Sequence, residues 1–310
     1  MEIVLQYIPE EIRKMIRNLP HDLIEKIEEI RLRIGRPVEV SASGLPHFLH
    51  YIFTKEDADQ FISKLANHSF YTLDEELKKG YITIAGGHRV GLAGKVILEN
   101  GYVKAIRHLA SFNIRIAREK IGVAEKYVPY LFDQNWKNTM IIGAPQTGKT
   151  TLLRDLARIA SGGMKKNRIP SLKVGIVDER SEIAGCVQGE PQLHLGPRVD
   201  VLDACPKAEG MMMMIRSMSP DILIVDEIGR QEDSAAILEA VNAGIKLIMT
   251  THGRNITEVK NRPMLKEIFE QSVFERVIGL SREKGPGTVT VITDAEGHPI
   301  INKTTLLHHA

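Results

Sequence analysis

Apolar positions along the first thirty residues recur at three- and four-residue intervals: Ile12, Ile16 and Leu19, then Leu23, Ile27 and Ile30. That period predicts two short amphipathic helices separated at Pro20. Short strands are expected around Val38–Val40 and Phe48–Phe53. Thr54 with Asp57 has the spacing of a capping box, ahead of a helix carrying Phe61, Ile62 and Leu65. From Tyr81 the pattern shifts toward alternation, and the stretch through Ala117 reads as a β-meander of three or four strands. Asn100–Gly101 sits inside it as a two-residue hairpin signal, because a type I′ turn needs positive φ at both central positions.

After Trp136 nearly continuous apolar runs alternate with helical stretches. The runs are Thr139–Gly143, Lys173–Glu179, Asp221–Glu227 and Lys246–Thr251, followed by strand-like segments FERVIGLS and TVTVITD. Strands without polar alternation are buried on both faces, which predicts an α/β domain with a mainly parallel sheet. The expected organisation is an N-terminal α+β domain over 1–118, a linker over 119–136 and a P-loop ATPase domain over 137–310. The run Met211–Met214, following Pro206, predicts a helix with an adaptable core face.

Composition changes this picture little. The 310 residues are 43% hydrophobic and 26% charged, which is globular. A net charge of +2, from 41 basic and 39 acidic side chains, gives no strong nucleic-acid signal. Cys186 and Cys205 lack metal spacing and are expected to be reduced thiols. Early charges argue against a signal peptide, and no apolar run is long enough to cross a bilayer.

The chemistry concentrates where strands end. Gly143, Ala144, Pro145, Gln146, Thr147, Gly148, Lys149 and Thr150 fit GxxxxGK[ST] in full, after an apolar strand and before a helix that opens with Thr151. Glycines let the backbone curl its N–H groups toward phosphate oxygens, and the helix adds its positive end. Lys149 is expected on the β- and γ-phosphates of ATP, and Thr150 on Mg²⁺. Ile222–Glu227 puts two acids at the end of a second buried strand: Asp226 for the Mg²⁺ shell, Glu227 for the attacking water. Glu179, ending the intervening strand, competes for that water. His252, within Thr250–Gly253, is placed to hydrogen-bond the γ-phosphate or the catalytic water. The inserted strand between the two motifs is typical of RecA-like and AAA-like ATPases and argues against simple nucleotide kinases.

These segments resemble the RecA-like ATPases of type II and type IV secretion and of type IV pili. The shared order is a phosphate loop (Gly143–Thr150), an Asp box (Val177–Glu182), a Walker-B strand (Ile222–Glu227) and a His box (Thr250–Gly253). The chain departs from that pattern with Asp226 where the secretion enzymes usually have glycine, so the choice between Glu179 and Glu227 stays open. A narrower resemblance covers nearly the whole chain. EIRLRIGRP, GYITIAGGHRVGLAGKV, SFNIRIARE, VDERSEIAG and LDACPKAEGMMMMIRSMSPDILIVDEIG are similar to the stage III sporulation AA family of endospore-forming bacteria. It implies a motor ATPase at the cytosolic face of a secretion-like channel, a hexameric ring, and partners among membrane proteins of the same sporulation operon. Arg180, Arg198, Arg216, Arg230 and Arg254, with Arg107, Arg115 and Arg118, are candidates for an arginine acting in cis or in trans. The residues leave two other readings: a RecA-like nucleic-acid motor, and an ATP-dependent scaffold with little turnover.

Overall fold

The computed structural model describes residues 1–66 and 80–302. The chain divides into two compact units, Met1–Arg118 and Glu119–Ala310; the last stretch of the expected ATPase domain, 303–310, lies outside the described residues.

The first unit is a six-stranded antiparallel sheet built from β1 (Ile27–Arg33), β2 (Pro37–Ala42), β3 (Leu45–Ile52), β4 (Tyr81–Ile84), β5 (His88–Glu99) and β6 (Tyr102–Arg115), in the order β3-β2-β1-β6-β5-β4. Strands β4 to β6 are the expected meander. Asn100 and Gly101 close the β5–β6 hairpin with φ of 52° and 81°, as a type I′ turn requires. The capping box forms: Thr54 accepts from the Asp57 amide, and the Asp57 carboxylate accepts from the Thr54 amide. Ile12 and Ile16, on the helix Glu10–Arg17, pack with Ile30, Leu32, Phe53, Phe61 and Phe112.

One expectation in this unit fails. Leu23, Ile27 and Ile30 do not share a helix: the helix after Pro20 covers only His21–Ile24, and Ile27–Arg33 is β1. The register of β1 against β2 shifts between Ile27 and Glu29. That bulge lets two residues three apart both face the core, which imitates helical spacing. Beyond it Ile30 and Leu32 alternate with Arg31 and Arg33 as a strand should.

In the second unit β7 (Phe132–Asp133) and β8 (Asn135–Trp136) make a small hairpin. The main sheet contains β9 (Thr139–Gly143), β10 (Val174–Asp178), β11 (Val199–Asp203), β12 (Ile222–Val225), β13 (Lys246–His252), β14 (Arg276–Ser281), β15 (Thr288–Thr293) and β16 (Pro299–Asn302). Their order is β11-β10-β12-β13-β9-β14-β15-β16. The strands from β11 to β14 are parallel, while β15 and β16 run antiparallel, so the sheet is mixed.

Both faces are covered, which explains the unbroken apolar runs. Ile141, Ile176, Ile224 and Ile248 point to one side with the helix Lys149–Gly162. Their neighbours Met140, Val177, Val225 and Met249 point to the other, with Met211, Met214, Ile237 and Leu265 from three helices. The methionine run is therefore half core and half surface, with Met213 exposed. Residues 119–136, expected to be a linker, are instead part of this unit. Ala124, Tyr127, Val128, Leu131 and Trp136 are buried in its core, and Asp155 accepts from the amides of Gly122 and Ala124. The charged and polar residues between those apolar positions made the segment look like a connection.

Candidate nucleotide-binding and catalytic site

Strands β9, β10, β12 and β13 run in one direction, so their carboxyl ends share an edge where ligands collect in open α/β sheets. The phosphate loop leaves β9 at Gly143 and enters the helix Lys149–Gly162. Its tight curl depends on two glycines. A Cβ at Gly143 would fall 2.4 Å from the Thr147 hydroxyl, and Gly148 is left-handed at φ 91°. Inside the curl the buried Lys149 ammonium donates to the carbonyls of Gly143 (3.0 Å) and Ala144 (3.1 Å). Burial holds that ammonium below the usual lysine range, against the opposing pull of Asp226, Glu227 and Glu182. Ala144, Pro145 and Gln146 lie exposed at the loop's outer rim, and Thr147 is buried.

The end of β12 meets this loop. The Thr150 hydroxyl donates to Asp226 Oδ2 at 2.6 Å, and the Thr250 hydroxyl, from β13, donates to Asp226 Oδ1. Burial raises the Asp226 carboxyl above its ordinary range, and these two hydroxyls work against that rise. Glu227 adopts a left-handed φ of 54°, costly for a residue with a Cβ, and its amide is held by Thr250 Oγ1 at 2.9 Å. One buried threonine thus fixes both acids.

His252 joins the two halves. Its Nδ1 lies 3.2 Å from Lys149 Nζ and its Nε2 lies 2.8 Å from Glu227 Oε1. An ammonium can only donate, so Nδ1 accepts and the ring proton sits on Nε2, where it donates to Glu227. Arg180 donates to the other oxygen of Glu227 at 2.7 Å.

The Asp box behaves differently at its two acids. Asp178 turns inward: its carboxylate accepts from the amides of Glu182, Ile183 and Ala184, each at 2.9 Å. Those bonds shape the loop after β10, while burial pushes the Asp178 carboxyl up to about 6. Glu179 is engaged by the buried Lys207 and, at 3.6 Å, by Arg230. Asp178, Glu179, Arg180, Glu182, Lys207, Asp226 and Glu227 line one small cleft.

The structure therefore brings Lys149, Thr150, Asp226, Glu227 and His252 into one connected set, with Glu179 lining the same cleft as Asp226 and Glu227. Three contributors were missed in the sequence. Thr250 was read as part of a phosphate-sensing box, not as the pivot for Asp226 and Glu227. Lys207 gave no signal beyond its place after Pro206. Arg154 did leave a trace: it is a charged residue on the apolar face of the phosphate-loop helix. It is buried there, donating to the carbonyls of Ile183 and Glu182, both at 2.6 Å, and so locks the Asp-box loop to that helix. Among the candidate arginines, Arg180 and Arg230 pair with Glu227 and Glu179 within the unit. In the first unit Arg118 donates to the carbonyls of Glu25 and Ile27.

A phosphate-loop motif at the carboxyl edge of a largely parallel α/β sheet defines the class of fold, and solved ATPase structures share it. The ATPase DotB of Yersinia pseudotuberculosis superposes with a TM-score of 0.59 at 15% identity, covering 88% of this chain and 76% of that one. The pilus retraction motor PilT with bound ADP gives 0.58 at 17% identity, covering 83% and 75%. Within that class the chain belongs to the family described as sporulation stage III, protein AA, whose pattern matches residues 1–300. It is 57% identical over 305 residues to stage III sporulation protein AA of Bacillus subtilis (strain 168), covering 98% of both chains. No helix among the described residues is long and apolar enough to cross a membrane.

Proposed function

We propose that this chain binds and hydrolyses Mg-ATP as a motor ATPase and energises a secretion-like or channel complex during sporulation. The observation that carries the reading is the convergence of Lys149, Thr150, Asp226, Glu227 and His252 on one phosphate loop. Family membership supplies the sporulation setting, and the ADP bound to PilT supports a nucleotide in this fold. The hexameric ring, the cytosolic face of a membrane complex and membrane partners from the sporulation operon belong to the same proposal. So does a division of labour between an N-terminal α+β domain and the P-loop domain.

The donor set fits Mg²⁺. Thr150 and Asp226 offer adjacent oxygens beside the phosphate loop, as a hard cation that keeps several waters needs. When bound there, Mg²⁺ would neutralise charge on the β- and γ-phosphates. The remaining chemistry is the chain's own. Lys149 exchanges loop carbonyls for phosphate oxygens, a stronger charge-assisted partner. The backbone N–H groups of Gly148 to Thr151 complete the cradle.

Glu227 is the better water-activating base of the two candidates. Its carboxylate lies next to the Mg²⁺ ligand and is bonded through His252 to the phosphate-binding lysine. Glu179 is committed to Lys207 and Arg230, an arrangement suited to anchoring the helix Lys207–Ser217. In this reading Arg180 must leave Glu227 before a water can be activated. That step is suited to coupling with a neighbouring subunit or partner.

Hydrolysis per protomer, measured against protein concentration with Lys149→Ala as blank, tests the proposal. A rate that rises with concentration and vanishes in the variant is expected for a site completed between subunits. A variant-sensitive rate that stays flat while the chain assembles would remove the trans contribution. ATP binding without any variant-sensitive hydrolysis, with partners present, would leave a scaffold.

A further inference from the structure

The order of strands says which way a nucleotide must lie. The phosphate loop follows β9, whose neighbours are β13 on one side and β14 on the other. Asp226, Glu227 and His252 all come from the β12–β13 side, so the γ-phosphate faces that way. The nucleoside end then extends toward β14 and β15.

The loop joining those two strands is seated on the phosphate loop. The Gly287 amide donates to the Thr147 carbonyl at 2.7 Å. Gly148 approaches so closely that a Cβ there would stand 2.8 Å from the Gly287 nitrogen. Arg282 donates to Gln146 Oε1 at 3.1 Å, which holds an exposed guanidinium at the rim of the phosphate loop. Gly285 and Gly287 have φ of 96° and 90° and flank Pro286, giving a turn that no ordinary side chain would follow.

We infer that the hairpin loop Arg282–Gly287 is the nucleoside-side wall of this site, with the Arg282 guanidinium packed against the nucleobase. The inference rests on the Mg-ATP reading and adds to it the group that distinguishes a nucleotide from bare polyphosphate. A planar guanidinium stacks on an aromatic base, whereas the phosphate loop itself recognises only the phosphate chain. Gln146 positions Arg282, and the Gly287–Thr147 bond sets the distance between wall and cradle.

Isothermal titration of the full chain with ATP and with inorganic tripolyphosphate, both with Mg²⁺, tests this in wild type and Arg282→Ala. The variant is expected to bind ATP about three- to tenfold more weakly and tripolyphosphate within about twofold of wild type. Equal loss for both ligands would place Arg282 at the phosphates, and unchanged ATP affinity would remove it from the site; either overturns the inference while the wild-type Mg-ATP reading stands. A wild-type chain that binds neither ligand overturns the Mg-ATP reading itself. If Arg282→Ala alters melting without ligand, Arg282→Gln, which keeps a donor for Gln146, carries the same comparison with the same criteria.

Discussion

Thr250 is the most informative single position in the site. Its hydroxyl donates to Asp226 and accepts from the Glu227 amide, and its side chain is fully buried. Thr250→Val keeps the shape and removes both bonds. A hydrogen bond to a charged group contributes about 1.5–3 kcal/mol, and a buried amide left without a partner costs about 1–3 kcal/mol. Because the carboxylate keeps its bond from Thr150, about 3 kcal/mol in total is a reasonable sum. For a unit of this size that is a fall in melting temperature of about 6–12 °C.

Thr250→Ser keeps the hydroxyl and loses one buried methyl group, at a cost of about 1 kcal/mol. Scanning calorimetry should therefore rank wild type above Ser above Val. The Val variant should also lose Mg²⁺-dependent ATP affinity while retaining Mg²⁺-independent binding. Without Thr250 the Asp226 carboxyl loses one of the two bonds that oppose its protonation. A Val variant that melts with wild type, or a Ser variant that falls as far as Val, would refute the pivot.

Three neighbouring acids give further expected outcomes. Asp178 is raised in the folded chain to about 6 from an ordinary 3.8, so the folded state holds more protons between those values. Its contribution is present below that window and lost as pH rises through it, by about 3 kcal/mol in all. Asp178→Asn should flatten the decline of the urea midpoint between about pH 4 and pH 7; an unchanged slope would count against the assignment. Glu227→Gln should lower the steady-state hydrolysis rate by about 10²–10⁴ with melting little changed. Glu179→Gln should instead leave Lys207 with a poorer partner, lowering stability by about 1–3 kcal/mol with a smaller loss of rate, and the reverse pattern would exchange the two roles.

Burial pushes the Cys186 thiol up to about 12, which leaves little reactive thiolate at that position.

Much of the site was legible because a phosphate loop is a local object. Its glycines, its lysine and its flanking strand and helix lie within a short stretch of chain. Their roles follow from backbone curl and the positive end of the helix. The buried strands were legible for a similar reason: a run apolar on both faces has few other places to go. The bulge in β1 hid a strand behind helical spacing, since periodicity assumes regular backbone and a single inserted residue breaks it. Residues 119–136 looked like a connection because sequence does not say whether scattered apolar side chains find a core.

By itself the sequence determined the phosphate loop, the order of buried strands and the acids at their ends. Tertiary structure decided which of those acids is bonded to the phosphate loop, Asp226 through Thr150, and which is tied up by Lys207. It also placed Thr250 beneath both Asp226 and Glu227, and laid the Arg282 loop across Thr147. Those pairings join residues separated by roughly twenty to well over a hundred positions. No local preference encodes them; they exist only because neighbouring parallel strands end at one edge.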